Sequence, residues 1–380
     1  MIKTSEKFRT YFFKFSITLP LLVTLSLLST TSSAKAELPL IEPGLLDKGS
    51  NQKDFNKSID PSQEITISFS GDILTHTSLY KKAYNGKEYN FKPFFSKIKP
   101  LLSSDLDICH LETPLVKRNF SGYPVFRTPT ELISAIKWAG FEGCSLASNH
   151  SLDAGVEGLS STLEQFRLNK LLSSGTTDKL EDLSDVATYL VQGRKISHLS
   201  YTWSLNGIKL PKPHLVNYPI SVSTIKKEVL SLRENGSDLV ILSLHFGNEY
   251  QVKPSSYQKD IVKKILKVAD IDAIIGHHAH VVQPSEIIYE KPVYFGLGNL
   301  WSAQGPWSND PRTQWGVILY LTFKFDQGKP YLSASYTTPT IVIPGSWQIY
   351  PARSVLLEKW LKQSEFALKE SQRLIIPFKK

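Results

Sequence analysis

Sulfur is scarce in this 380-residue chain, which has two cysteines, Cys109 and Cys144, and a single methionine. So few thiols exclude a disulfide-stapled scaffold, a cysteine zinc cluster and an iron–sulfur centre. Any metal site must therefore use His, Asp, Glu and Asn. Both cysteines lie in apolar runs that read as buried strands, a placing compatible with two buried thiols or with a bridge between neighbouring strands. Also missing is an unbroken apolar run of the ~20 residues that a spanning helix needs. The most apolar stretch, residues 15–28, contains Pro20 and several hydroxyls. The formal net charge is +9, yet no dense basic run with interleaved aromatics occurs, which argues against a nucleic-acid partner. Internal repeats and low-complexity tracts are absent as well.

The N-terminus carries an ordered signal. Lys3, Lys7, Arg9 and Lys14 precede the apolar stretch, a Ser/Thr-rich segment follows it, and then comes the small-x-small pattern Ala34-Lys35-Ala36. Basic, apolar and small, in that order, is the layout of a secretory signal peptide over residues 1–36, with a retained signal anchor as the alternative. No cysteine follows the run, so a lipid-modified cysteine is not expected. The chain is thus expected in the periplasm or on the outer face of the cytoplasmic membrane. Its remaining positive excess suits an anionic partner, a polyanion or lipid head groups.

Residues 37–63 carry Pro, Gly, Asn, Ser and Lys without a clear period and read as a linker. One domain is expected over residues 64–345. Ile65, Ile67 and Phe69 alternate up to a turn at Gly71-Asp72, and an apolar run at 106–111 ends at Glu112-Thr113-Pro114. Thr128-Pro129-Thr130-Glu131 reads as a capping box opening a helix that Gly140 closes. A strand at 143–147 ends at Ser148-Asn149-His150, and Leu159, Leu163 and Phe166 mark a helix face. In the second half, the almost wholly apolar run 239–244 predicts a strand buried on both faces. A helix through Val262 and Ile265 follows, then short strands at 273–275 and 293–297. Strands alternating with helices predict an α/β fold, with additional antiparallel strands at 187–203 and at 315–343, where Asp326-Gln327-Gly328-Lys329 signals a hairpin. Residues 346–380 form a tail, helix-like over 355–374, which either packs on the domain or lies on a membrane surface.

The chemistry is in where the polar residues fall. Asp72, Glu112, Asn149-His150, His245, His278 with His280, and Asn299 each come directly after an apolar strand. Loops at the carboxyl ends of strands in an α/β sheet converge on one rim, where sites are built. A lone histidine after a strand is more often structural, but several positions of the right chemical types point to a metal site. His278 and His280 are one residue apart, so on an extended segment both point the same way. A mixed imidazole and carboxylate set suits a divalent cation, with Mn, Fe, Zn and Mg all compatible. Arg127, just before the expected capped helix, reads as an anion-binding or a surface arginine. Glu249, four residues after His245, reads as a general base, a neighbour of the ligands or a structural ion-pair partner. Trp301 and Trp307 read as stacking surfaces or as core.

In order, Gly71-Asp72, His110-Leu111-Glu112-Thr113-Pro114, Leu146-Ala147-Ser148-Asn149-His150 with Asp153 and Gly155, His245-Phe246-Gly247-Asn248-Glu249-Tyr250, Gly276-His277-His278-Ala279-His280-Val281 and Gly296-Leu297-Gly298-Asn299 resemble the CapA family of capsule-synthesis proteins. The resemblance spans about residues 65–300. It implies a metallophosphoesterase-like four-layer α/β/β/α sandwich, with metals at the rim. It further implies Asp72, Glu112, Asn149, His245, His278 and His280 as ligands, and His150, near Asp153, as the acid beside the metal. The sequence departs from the wider pattern in places. Leu74 stands where full metallophosphoesterases carry a histidine two residues after the first Asp, and His76 lies two further on. Glu112 replaces an aspartate motif, and His110 and Ser148 stand where the family usually has Asn. His110, two before Glu112, would face the same side of a strand as an extra ligand.

Three functions are compatible with these residues. One is a metal-dependent hydrolase of phosphoesters. Another is a non-catalytic factor that binds an anionic cell-surface polymer of the poly-γ-glutamate type beside membrane-bound synthetase subunits. The third is a metal-dependent amidase acting on γ-glutamyl bonds. For the leader, the expected outcome is a mature chain beginning near Glu37 in envelope fractions, checked by N-terminal sequencing; an intact Met1 form in the cytosol would contradict it.

Overall fold

The computed structural model describes residues 46–48, 64–179, 186–308 and 310–352. The expected leader and the helix-like tail at 355–374 lie outside the described residues. Two large sheets dominate the described residues, beside a two-stranded one of Leu115–Val116 and Thr128–Pro129. One runs in the spatial order Ile349–Pro351, Lys329–Val342, Trp315–Asp326, Ile65–Leu74, Leu106–Leu111, Gly143–Ser145 and Leu172–Ser174, with Asn299–Ser302 also paired to Ile65–Leu74. The other runs Leu46–Lys48, Ala187–Val191, Arg194–Thr202, Leu239–His245, Ala273–His277, Lys291–Tyr294 and Ser285–Ile288. The second has a parallel centre with an antiparallel pair on either side, whereas the first is antiparallel on one side of Ile65–Leu74 and parallel from there to its other edge.

Strand alternation explains the layers. Ile67, Phe69, Ile108, Leu319 and Leu321 of the first sheet pack against Tyr189, Leu239, Ile241, Ala273 and Ile275 of the second. The opposite face of the first sheet, through Cys109, Leu111, Cys144 and Ile318, takes the helices Thr77–Ala83, Leu132–Ala139 and Gly155–Leu168. The opposite face of the second, through Val240, Leu242, Leu244 and Ile274, takes Val222–Glu234 and Ser256–Leu266. Strand 239–245 is buried throughout, and apolar but for Ser243 and His245, because odd positions face the other sheet and even positions face helices. The result is the α/β/β/α order expected from the sequence, with the antiparallel additions. Gln327 and Gly328 both have positive φ, 47° and 80°, as the two-residue turn of the expected hairpin requires. Cys109 and Cys144 are register partners on adjacent strands, with Cα atoms 4.3 Å apart, and form a disulfide. No described helix is long and apolar enough to cross a membrane.

Local expectations shift in several places. The chain does not turn at Gly71-Asp72; the strand continues to Leu74 through a register shift between Phe69 and Asp72. Gly71 is required there, because a Cβ would collide with the Gly298 carbonyl oxygen that accepts the Asp72 N–H at 2.9 Å. Thr128-Pro129 is a short strand on Leu115-Val116, not a capping box, and the helix begins at Leu132. The described capping box is instead Ser255 with Gln258. Asn299 opens a strand rather than following one. A strand at Leu46–Lys48 lies within the stretch read as linker, and Ile349–Pro351 extends the first sheet beyond residue 345.

Trp301 is core: fully buried against Phe91, Phe94 and Phe95, its indole N–H donates to the Trp347 carbonyl at 2.9 Å. Trp301→Ala should therefore cost about 3–5 kcal/mol of stability in denaturant titrations.

Candidate metal centre

Register aligns the polar residues before any ligand is considered. Asn299 pairs with Asp72, Asp72 with His110, and His110 with Ser145, one row across four strands of the first sheet. In the second sheet His245 pairs with His277. The rows meet at the rim: His110 Nε2 lies 2.9 Å from His245 Nδ1, and His277 Nδ1 lies 3.1 Å from Asp72 Oδ1. Asp72 Oδ2 also accepts the His278 N–H at 3.2 Å and faces His280 Nδ1 at 3.2 Å.

Glu112, directly beyond Leu106–Leu111, is at the centre. His245 Nε2 is 3.7 Å and His280 Nε2 3.8 Å from its Oε1, and neither carboxylate oxygen has a hydrogen-bond partner. His245 Nε2 meets Asn149 Oδ1 at 2.8 Å, and His278 Nδ1 is also buried without a partner. Glu112, His245 and His278 offer ligand atoms within 4.8 Å of one another, as do Asp72, Glu112 and His280, so Glu112 is common to both groups. Two further groups meet the same limit, Glu249 with His278 and His280, and Asp72 with His110 and His277. Among the described residues, all six expected ligands thus converge here, with Asn149 joining through His245.

The electrostatics follow from burial. Desolvation pushes Glu112 well above the usual carboxylate range, with His280 opposing it. Asp72 is equally buried, but hydrogen bonds from His277 and His280 overcome that and hold it well below. Burial, then neighbouring imidazoles, lowers His110 and His245 well below the ordinary histidine value, and His278 to about 4. These rings keep lone pairs available. His280 is the exception: burial disfavours its charge, but Glu112 and Asp72 outweigh it and raise it to about 9.

The donors fit a divalent cation. A buried carboxylate with two bare oxygens beside a bare imidazole nitrogen is costly unless positive charge joins it. Neutral imidazoles, carboxylates and a carboxamide oxygen are the donors such an ion takes.

The other expected residues are placed as follows. His150 Nδ1 is 2.7 Å from Asp153 Oδ2, which also accepts the Phe126 N–H at 2.7 Å, and the Phe126 ring stands edge-on to His150. Glu249 is solvent-exposed and approaches the centre from its open side. Arg127 lines a surface groove of about 540 Å³ with Lys117, Arg118 and Glu157. Leu74 is buried, and His76 Nδ1 is bound to the Leu74 carbonyl at 3.1 Å. An extended segment carrying His278 and His280 on one side gives His277 no role from sequence alone. The strand ends at His277, while His278 and His280 have φ of 88° and 55°, so left-handed backbone rather than alternation turns both inward. Asn299 was noted without a role; its Oδ1 accepts from His280 Nδ1 at 3.0 Å.

A stability test follows from Glu112. Its folded pKa is raised, so cation-free protein should lose stability as pH rises through the ordinary Glu value near 4.5 towards the folded value. In chelator-treated protein, Glu112→Gln should raise the thermal midpoint at neutral pH, with the gain vanishing below that window.

The model of the bacterial capsule synthesis protein family PGA_cap matches residues 66–304. The capsule biosynthesis protein CapA of Bacillus anthracis is 26% identical over 256 residues, 64% of this chain and 61% of that protein. The PGA biosynthesis protein CapA of Bacillus subtilis is 26% identical over 247 residues, 63% of this chain and 64% of that one. The chain thus matches less than two thirds of the length of either relative. Among solved structures, the calcineurin-like phosphoesterase YfkN from Bacillus subtilis is similar at 15% identity and a TM-score of 0.47, covering 82% of this chain and 100% of that one. Since the family match takes in Asp72, Glu112, Asn149 and every histidine of the centre, the chain belongs to the PGA_cap family of bacterial capsule synthesis proteins.

Proposed function

We propose that the protein is an exported, metal-dependent hydrolase with phosphoesterase-like chemistry, acting in the synthesis or export of an anionic cell-surface polymer. The observation that carries this reading is Glu112, buried with both oxygens bare among His245, His278 and His280. Asp72, Glu112, Asn149, His245, His278 and His280 would hold the cation or cations. When bound, a divalent cation supplies Lewis acidity towards a phosphoryl or acyl oxygen and makes coordinated water more acidic. His150 has its Nδ1 engaged by Asp153, which leaves Nε2 as the ring nitrogen that can protonate a leaving oxygen. Asp153 is itself fixed by the Phe126 N–H, so the acid is oriented by two contacts. The polymer context comes from relatives named for capsule and PGA biosynthesis. The basic, apolar and small order of the N-terminal residues supports export, and on this reading the protein works outside the cytoplasm beside membrane-bound synthetase subunits.

A second reading, a non-catalytic polymer-binding factor, is favoured by Leu74 in place of a histidine and by Lys117, Arg118 and Arg127 along the groove.

His150→Ala separates the two. In the hydrolase it should leave cation content intact and lower turnover of phosphodiester, phosphomonoester or γ-glutamyl substrates by ~10²–10⁴-fold. His278→Ala should remove cation under either reading. A cation-loaded wild type that hydrolyses none of these substrates, with polymer binding weakened by His150→Ala, would favour the binding factor.

A further inference from the structure

We infer that His110 and Ser145 are positioning residues that accept the proton left on His245 Nδ1 when a cation is bound and so hold its Nε2 lone pair to the centre. This rests on the metal-binding reading above. His245 Nε2 is the nitrogen facing Asn149 Oδ1 at 2.8 Å and Glu112 Oε1 at 3.7 Å. A ligating nitrogen carries no proton, so in the cation-loaded protein the His245 proton is on Nδ1. That atom meets His110 Nε2 at 2.9 Å, which must then accept, so the His110 proton is on Nδ1. His110 Nδ1 in turn meets Ser145 Oγ at 2.8 Å, and the Ser145 hydroxyl lies 3.5 Å from the Cys109 carbonyl. Without a cation the line can run the other way, with His245 Nε2–H donating to Asn149 Oδ1; once a cation takes that lone pair, only the direction from His245 Nδ1 through His110 to Ser145 gives every donor an acceptor, and all of its side chains are buried.

The line is built by register. His110 and Ser145 are cross-strand partners, so their side chains share one side of the sheet. The His110 ring is held flat by His277, stacked at 4.1 Å between centroids and 16° between planes. With both of its nitrogens engaged, His110 acts as a buttress to a ligand and not as an additional ligand. Partners of this kind, behind a ligating imidazole, set its tautomer and orientation, and their loss typically costs 10–100-fold in metal affinity.

The test uses the full chain, with Mn²⁺ affinity measured by calorimetry and thermal midpoints of the cation-free proteins as the folding control. Ser145→Ala and His110→Phe should each weaken Mn²⁺ about 10–100-fold. His110→Gln, whose amide oxygen can take the place of Nε2 as acceptor, should retain most of the affinity. In ¹⁵N–¹H spectra of the Zn²⁺-loaded wild type, His245 should carry its proton on Nδ1. Equal loss in His110→Phe and His110→Gln with no effect of Ser145→Ala would make His110 a ligand and overturn the proposal. Unchanged Mn²⁺ affinity in folded Ser145→Ala and His110→Phe would also overturn it, leaving the metal centre standing. A wild type that binds neither ion would overturn both.

Discussion

A carboxylate taken out of water must be matched by positive charge or by hydrogen bonds, and Glu112 has neither oxygen hydrogen-bonded. Its surroundings are arranged around that demand. Burial disfavours charge on His110, His245 and His278, which leaves uncharged rings, two of which, His245 and His278, offer nitrogens beside Glu112. His280, by contrast, has a raised pKa despite its burial, because Glu112 and Asp72 both press on it. Its charge is a weak substitute for the cation that the geometry suits, since one proton serves two carboxylates. A divalent ion in the same place would make that proton redundant, so cation binding and proton release are linked.

The centre depends on the sandwich rather than on any one loop. The row Asn299, Asp72, His110 and Ser145 is fixed by strand pairing in one sheet, and His245 beside His277 by pairing in the other. The apolar contact of Ile67, Phe69 and Ile108 with Ile241 and Ile275 sets how far apart the rows stand. Hydrogen bonds close the remaining distance, from His110 to His245 and from His277 to Asp72. Packing between sheets and chemistry at the rim are therefore one constraint, and a cavity opened between the sheets would reach the centre.

Much of this was legible in the sequence because burial leaves a plain mark. Apolar runs ending in Asp, Glu, Asn or His mark most of the central strands and the rim, and the CapA resemblance supplies the pairing of sheets that no periodicity can give. What escaped depends on backbone detail and long-range contact. His277 was missed because left-handed φ at His278 and His280 is invisible to an alternation rule. Thr128 resembles a helix cap, yet its hydroxyl is bonded to Thr113 and its backbone pairs as a strand, a tertiary contact that overrides the local motif. Trp301, near a Gly-Pro segment, reads equally as a stacking surface or as core; that it turns into a pocket of phenylalanines contributed from residues 91–95 depends on the fold.

The two groups that share Glu112 are not equally furnished, and that asymmetry bears on mechanism. On one side His245 and His278 join Glu112, with the Asn149 oxygen beside His245 and the His110–Ser145 line behind it. On the other, Asp72 and His280 stand without the histidine that Leu74 replaces, and His76 has its Nδ1 on the Leu74 carbonyl. The better-furnished side is also the one joined through Asn149 to His150 and Asp153. On the proposed reading, proton transfer to a leaving group therefore belongs beside His245 and His278. The Asp72 side then serves chiefly to set the charge that Glu112 and His280 share, a division of labour that one strong cation site satisfies as well as two.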